Sequence, residues 1–294
     1  MRDDIHEAVM VKEVINNLIF DKNGSYVDCT FGMGGHSAAI LNSLDKQGNL
    51  TSIDKDSSCR KIAMKLTLQD KRMKFINDNF GNIEKYFKRD SLNGVLLDLG
   101  ISSTQLKDAS RGFSFSMSGP LDMRIDQTNS DTAEVWINNS SRAEIERVFR
   151  DLGEERQSKH IAKLICEKRK QKAITTTKEL SDIIVSCKKR TSRIHPATNI
   201  FRAIRMQVNF ELEELNKALN SIRKLLKIGG RFAVISFHSL EDRIAKRFIQ
   251  GKDMALRESV FQLVGGKPMR PTKTEIKMNP RSRSAILRIG ERVS

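Results

Sequence analysis

The segment Asp28-Cys-Thr-Phe-Gly32-Met-Gly34-Gly35-His36-Ser37 joins a β-branched run to a helical pattern through three glycines. Glycine lets a backbone come close to a ligand, and the free N–H groups of a helix start favour polar or anionic atoms. The dinucleotide fingerprint wants a further glycine at the position of Ser37, so this turn is not spelled for a pyrophosphate. A tight turn with no ligand is the plain alternative. Asp54 stands 22 residues after Gly32, at the end of the next β-branched run. A carboxylate there can accept from both hydroxyls of a ribose, although Asp56 nearby fits an ordinary exposed turn. Asp78-Asn-Phe80 ends the third run with a ring that could pack on adenine, and Asp98-Leu-Gly-Ile ends the fourth.

Four successive strand ends then offer ligand groups along the crevice where an open α/β sheet binds small molecules. A nucleoside-bearing cofactor fits them, and the missing third glycine favours S-adenosylmethionine over a nicotinamide dinucleotide. His36 either donates to the methionyl carboxylate or caps its helix, and spacing leaves both open. No cysteine or histidine has metal-ligand spacing, so no metal is expected.

These residues converge only if the first hundred positions fold as parallel βαβ units. Helical patterns run over 9–19, 37–44 and 58–68, and strands over 25–30, 49–53, 73–77 and 93–98. The fourth strand is apolar throughout, which places it between two covered faces. A further helix spans 212–226, stopped by Gly229-Gly230, and leads into a strand at 231–237. More than a hundred residues separate it from the fourth strand, far beyond a crossover connection. That stretch reads as helical: Ser141-Arg-Ala-Glu144 and Thr176-Thr-Lys-Glu179 spell capping boxes, and Pro196 suits a first helical turn. The expected fold is α/β, a mostly parallel Rossmann-like sheet with an inserted helical domain. Residues 1–106 and 216–294 would form the sheet domain and 107–215 the insert. Short strands near 260–264 and 284–289 would close the sheet as an antiparallel edge pair.

The chain of 294 residues carries a net charge of +16. Residues 216–294 hold 18 basic and 6 acidic side chains, three quarters of the excess, and 163–205 hold 12 basic side chains against three acidic ones. Clustering of this kind favours a polyanion. With no apolar run of membrane-spanning length and no signal peptide, nucleic acid fits better than membrane, and the protein should be cytoplasmic and thiol-reduced. The four cysteines are scattered, which excludes a disulfide scaffold. His195 and His238 read as partners of buried backbone groups ahead of RNA contacts. Arg281, Arg283 and Arg288 are candidates for phosphate contacts.

Seven segments resemble one family in order along almost the whole chain. They are Thr30-Phe-Gly-Met-Gly-Gly-His-Ser37, Asp98-Leu-Gly-Ile-Ser-Ser-Thr-Gln105, Arg111-Gly-Phe-Ser-Phe115, Gly119-Pro-Leu-Asp-Met-Arg124, His195-Pro-Ala-Thr198, Val234-Ile-Ser-Phe-His-Ser-Leu-Glu-Asp242 and Asn279-Pro-Arg-Ser-Arg-Ser-Ala285. The family is the bacterial ribosomal small-subunit RNA methyltransferase H, which methylates cytosine N4 at the decoding site of 16S rRNA. The resemblance implies a class I methyltransferase fold, S-adenosylmethionine as donor, and 16S rRNA or the small subunit as partner. It also carries over a cofactor set: Gly34, Gly35, His36, Asp54, Phe80, Asp98 and Gln105. It assigns no catalytic base and leaves a homodimer open. Ser118, Asn199 and Ile286 depart from the usual family residues, none of them in the cofactor set.

The target atom narrows independently. Methylation at carbon 5 of a pyrimidine needs a cysteine nucleophile, and no Pro-Cys pair occurs in the chain. An exocyclic amine needs only an acceptor that holds it in line with the methyl donor. The Asp/Asn-Pro-Pro-aromatic motif of many amino-methyltransferases is absent, with Asp98-Leu-Gly-Ile in its place. The rivals are a non-catalytic RNA-binding factor with a vestigial α/β domain, and a DNA amino-methyltransferase.

Overall fold

A computed structural model describes residues 8–187, 195–252 and 260–294. The chain forms two compact units, one running to Gly100 and joined by Leu212–Ser294, the other Ile101–Glu211. The first unit opens with α1 (Val11–Leu18), whose Val14 and Leu18 are four residues apart and fully buried on one face. It continues through β1 (Ser25–Asp28), α2 (Gly35–Ser43), β2 (Asn49–Ile53), α3 (Arg60–Gln69), β3 (Met73–Ile76) and β4 (Leu92–Asp98). The second unit holds α4 (Ser103–Lys107), α5 (Ala133–Asn139), α6 (Arg142–Asp151), α7 (Ser158–Gln171), α8 (Thr177–Cys187) and α9 (Thr198–Asn209). The chain returns as α10 (Glu211–Leu225), β5 (Leu226–Ser236), α11 (Ser239–Ile249), β6 (Phe261–Leu263), α12 (Lys273–Met278) and β7 (Ile286–Arg292).

The strands form one sheet in the order β3-β2-β1-β4-β5-β7-β6. Five are parallel, while β7 runs antiparallel to β5 and β6 antiparallel to β7, the edge pair that the sequence suggested. Strand order reverses between β1 and β4, which opens the crevice where such sheets take ligands. Val95 and Leu97 of β4 enter a core with α10 and α11, while Leu96 enters a core with α1 and α2. Both faces are therefore covered, which accounts for the unbroken apolar run. Phe232, Phe248 and Phe261 meet edge-on or tilted at 5.0–5.6 Å in the first of these cores.

Gly229 and Gly230 do not stop a helix. Helix α10 ends at Leu225, and β5 begins at the next residue because Leu226 already pairs with Leu92. The glycines lie inside β5, where its register with β4 shifts between Leu92 and Gly94 and Gly229 takes φ +78°. A bulge needs that conformation, so the glycines serve the strand.

The second unit is built of helices around Phe149, Ile145, Val148, Ile161, Ile200 and Ile204, all buried. The expected capping box closes at Thr176, while at Ser141 only the forward bond forms and the Glu144 carboxylate turns to Arg147. The Glu144 N–H donates to Ser141 Oγ, and the Glu179 N–H to Thr176 Oγ1. Glu179 also accepts from the backbone N–H groups of Thr175 and Thr176, and with Lys172 at 2.6 Å its carboxyl is pulled down to about 2. Pro196 stands one place before the N-cap residue Ala197, in the turn that leads into α9. Asn209 is buried; its side chain accepts from the Ile125 N–H and donates to the Met123 carbonyl. Residues 188–194, which carry four of the basic side chains of the 163–205 stretch, lie outside the described residues.

One candidate phosphate contact falls away here. Arg288 is 8% exposed on β7, and its Nε and Nη2 donate to both oxygens of Asp242 at 2.7 and 3.0 Å. The sequence could not place Asp242, in the first turn of α11, against the strand that carries Arg288. Truncating one partner of such a pair strands a buried charge. Arg288→Ala should lose about 2–4 kcal/mol of unfolding free energy in urea, with no change in the salt dependence of RNA binding. A changed salt slope with unchanged stability would return Arg288 to the phosphate contacts.

Candidate functional site

The site is built where β1 ends. Gly32 and Gly34 take φ +53° and +79°, a region that side chains other than glycine rarely adopt. A Cβ on Gly34 would come within 2.9 Å of the Phe31 ring, and one on Gly35 within 2.9 Å of the Ala8 side chain. The turn is therefore packed from behind, by Phe31 on one side and by the segment before α1 on the other. Asp28, fully buried, holds it in shape. One oxygen accepts from the Thr30 N–H at 3.1 Å, the other from the Ser37 hydroxyl at 2.6 Å, and Ser37 meets Ser52 of β2 at 2.8 Å. Burial lifts the Asp28 carboxyl above its ordinary value, against the pull of His36, Ser37 and the Thr30 N–H.

The end of β2 is tied to the same turn. The Gly32 N–H donates to one oxygen of Asp54 at 2.7 Å, and the Asp56 N–H to the other at 2.8 Å. Burial nevertheless dominates, and the Asp54 carboxyl is pushed up to about 6. The alternative of an exposed turn acid therefore applies to neither residue, since Asp56 is buried and caps the short helix Ser57–Cys59. At the end of β3, Asp78 accepts from Tyr86, Asn82 and the Asn79 N–H. Phe80 starts the 3-10 helix Phe80–Lys85 and packs partly buried on the core of β4 and α10. A carboxylate oxygen of Glu214 occupies the place beside Gly81 where a Cβ would be, 1.8 Å from that position. Glu214 was not singled out in the sequence, because its helix is 133 residues away along the chain from Gly81.

His36 lies inside the first turn of α2, not at its cap. The N-cap residue is Gly34, with no side-chain cap bond. The imidazole is 4% exposed, with Nε2 3.4 Å from Asp98 Oδ2. Burial opposes protonation, but Asp98, Asp28 and Glu275 outweigh it and raise the His36 pKa. Both ring nitrogens and Asp98 Oδ1 are buried without a hydrogen-bond partner among the described residues. Unpaired buried polar atoms cost free energy, and they cluster here at the reversal of strand order. The Asp98 N–H donates to the Thr30 hydroxyl at 2.7 Å, a clasp between β1 and β4 that the sequence reading missed.

The remaining marked residues have local roles. Gln105 lies in the helical unit, where its side-chain oxygen accepts from the Ser102 N–H and its own N–H donates to Ser102 Oγ, closing a capping box on α4. His238 caps α11: Nδ1 accepts from the Glu241 N–H, and Nε2 sits 3.1 Å from the Glu241 carboxylate. His195 Nδ1 accepts from the Ala197 N–H, and its ring stacks on Phe115 at 4.5 Å. Both histidines thus satisfy backbone groups.

Residues 3–293 match the MraW methylase family. The ribosomal RNA small subunit methyltransferase H of Coxiella burnetii is 44% identical, covering 99% of this chain and 100% of its own. The protein of the same name from Shewanella amazonensis is 42% identical, covering 99% of both. Among solved structures, an rRNA methylase from Streptococcus thermophilus superposes with a TM-score of 0.45 at 12% identity, over 97% of this chain and 94% of that one.

The raised Asp54 pKa has a consequence for stability. A carboxyl that binds its proton more tightly when folded stabilises the fold below its ordinary range, and that stability is lost as pH rises through about 6. Unfolding in urea at pH 5 and pH 7 should therefore favour the wild type over Asp54→Ala by about 1 kcal/mol more at pH 5. An equal difference at both pH values would place the carboxyl in its ordinary range.

Proposed function

The chain belongs to the MraW methylase family, and from that premise we propose that it transfers a methyl group from S-adenosylmethionine to the N4 amine of a cytidine in the decoding region of 16S rRNA. The observation that carries this reading is the unsatisfied polar cluster of His36 and Asp98 at the crevice between β1 and β4. A polar ligand there would complete those atoms, and the glycine turn beside them offers backbone N–H groups. The residues present fit S-adenosylmethionine. Gly34 and Gly35 supply the close backbone approach, His36 a donor to the methionyl carboxylate, Asp54 an acceptor for the ribose hydroxyls, and Phe80 an apolar face for adenine. Asp98, at the end of β4 beside His36, would offer a further acceptor to the bound group.

Bound S-adenosylmethionine supplies an electrophilic methyl group on a sulfonium. The protein then has to hold the cytosine amine in line, exclude water and let one proton leave the nitrogen as the N–C bond forms. Transfer to an exocyclic amine needs no covalent thiolate intermediate. Burial raises the Cys29 and Cys59 thiols above their ordinary values, and both lie in the interior of the sheet unit. This agrees with the absence of a Pro-Cys pair and disfavours carbon 5 as the target. A paired cytosine uses N4 in its Watson–Crick edge, so the base must be splayed out to react. The helical unit, with its basic stretch, holds the surrounding RNA strand, and the reaction belongs to the cytoplasm. Among the described residues no helix is long and apolar enough to cross a membrane.

Two measurements test this. Small subunits lacking the modification, incubated with the protein and labelled donor, should yield N4-methylcytidine on nucleoside mass spectrometry. Label on carbon 5, or only on ribose oxygens, would overturn the reading, and label on DNA in place of subunits would favour a DNA amino-methyltransferase. In calorimetry, Asp54→Ala should weaken cofactor binding about 10- to 100-fold, the equivalent of losing charge-assisted hydrogen bonds. Unchanged affinity with an intact circular dichroism spectrum would remove Asp54 from the site.

A further inference from the structure

The segment between β6 and β7 carries six basic side chains, Lys267, Arg270, Lys273, Lys277, Arg281 and Arg283, and one acidic one, Glu275. All six cations are exposed, and none is in an ion pair among the described residues. Several other basic side chains of this unit are held in ion pairs. Arg231 pairs with Glu291, Arg288 with Asp242, Lys224 with Glu84 and Arg72 with Asp70. The stretch 267–283 thus sets six exposed cations, unpaired among the described residues, against a single acidic side chain.

That stretch is held firmly. Met269 and Leu287 exchange both backbone hydrogen bonds at 2.9 and 3.0 Å, which adds a rung beside β7. Pro271 and Ser282 are buried, and the Ser282 hydroxyl donates to the Asn279 carbonyl at 2.7 Å. A fixed array of cations loses less entropy on meeting phosphates than a flexible tail would.

Glu275 points the other way. Its Oε1 accepts from the Met10 N–H at 2.7 Å. Met10 is the N-cap of α1 and takes φ +55°, a left-handed conformation strained for methionine. Two residues earlier, Ala8 fills the space against Gly35 of the glycine turn. An unbroken line of contacts therefore runs from the basic segment through Glu275, Met10 and Ala8 to the turn that holds His36. Glu275 is also one of the carboxylates that favour the charged form of His36.

We propose that residues 267–283 form the docking surface for the RNA phosphate backbone, and that Glu275 transmits its occupation to the glycine turn, so that RNA and S-adenosylmethionine binding are energetically coupled. The inference rests on the RNA-methyltransferase reading and adds, beside the helical unit, a second surface by which that enzyme holds its substrate. Phosphates that settle among the cations compete with Glu275 for the field of its neighbours. Any shift of α12 then changes the support of Met10 and, behind it, Gly35. By linkage the effect is reciprocal: RNA alters cofactor affinity by the factor by which cofactor alters RNA affinity.

The test measures binding of an unmodified decoding-region RNA across a salt series, with and without S-adenosylmethionine. The triple variant Lys273→Ala, Lys277→Ala, Arg281→Ala should lower the salt slope by about 2 units, at about 0.7 per lost single-strand contact. Its cofactor affinity without RNA should stay at the wild-type value. In the wild type RNA should change cofactor affinity at least fivefold, and in Glu275→Ala that factor should fall towards one while the salt slope is kept. Glu275→Gln retains an acceptor for the Met10 N–H, so it should keep the coupling if the hydrogen bond carries it. Thermal unfolding of each variant separates these effects from a weakened fold. An unaltered salt slope in the triple variant, or its loss of binding to anionic vesicles but not RNA, would overturn the docking surface. A coupling factor of one in the wild type, or one untouched by Glu275→Ala, would overturn the transmission. RNA binding with the expected slopes but no N4-methylcytidine product would fault the enzymatic reading and leave the surface standing.

Discussion

The Asp98 N–H and the Thr30 hydroxyl meet at 2.7 Å across strand ends 68 residues apart. Everything at the site depends on this clasp and on the carboxylate beneath it. The last regular pairing of β1 with β4 joins Asp28 to Leu96, and beyond it the two chains diverge to open the crevice. The Thr30 hydroxyl bridges the gap at the point of divergence. Asp28 then fixes the turn through the Thr30 N–H, the start of α2 through Ser37, and β2 through Ser37 and Ser52. One buried side chain thereby sets the position of three elements, and the glycine turn has no freedom left to collapse. Such a network is worth most when every member is satisfied, which is the case for Asp28.

The electrostatics around that network are deliberately unbalanced. Asp98, Asp28 and Glu275 act on a single buried imidazole, and burial raises the carboxyls of Asp28 and Asp54. Carboxylates held against their own desolvation cost free energy, and the His36 Nδ1, buried with no hydrogen bond among the described residues, adds to the cost. The two apolar layers on either face of β4 and the aromatic cluster of Phe232, Phe248 and Phe261 offset it.

The basic charge divides in the same way between fold and surface. Within the C-terminal region of highest net charge, Arg231, Arg288 and Arg292 are drawn into the sheet by Glu291, Asp242 and Asp90. Arg231–Glu291 binds strand to strand, Arg288–Asp242 strand to helix, and Arg292–Asp90 ties β7 to the turn before β4. The cations of the β6–β7 connection have no such partners among the described residues. Net charge by itself does not distinguish the two populations; burial does.

What the chain declared by itself was whatever depends on near neighbours. Apolar runs of β4, the glycine turn, the helix starts at Ser141 and Thr176, and the strand-helix alternation are all local patterns, and they appear in the structure within a residue or two. The family resemblance rested on the same short motifs. Roles that need a distant partner were illegible. Arg288 finds Asp242 46 residues away, Glu275 reaches Met10 across 265, and Leu226 is captured by Leu92, which draws two glycines into a strand. His36 was indistinguishable from a helix cap until Asp98 stood beside it, and Gln105 gave no sign that it would cap its own helix. The reason is physical. Periodicity and backbone preference act over a few residues, whereas burial, pairing and a shifted pKa arise only when the folded sheet brings remote side chains within a few ångströms of one another.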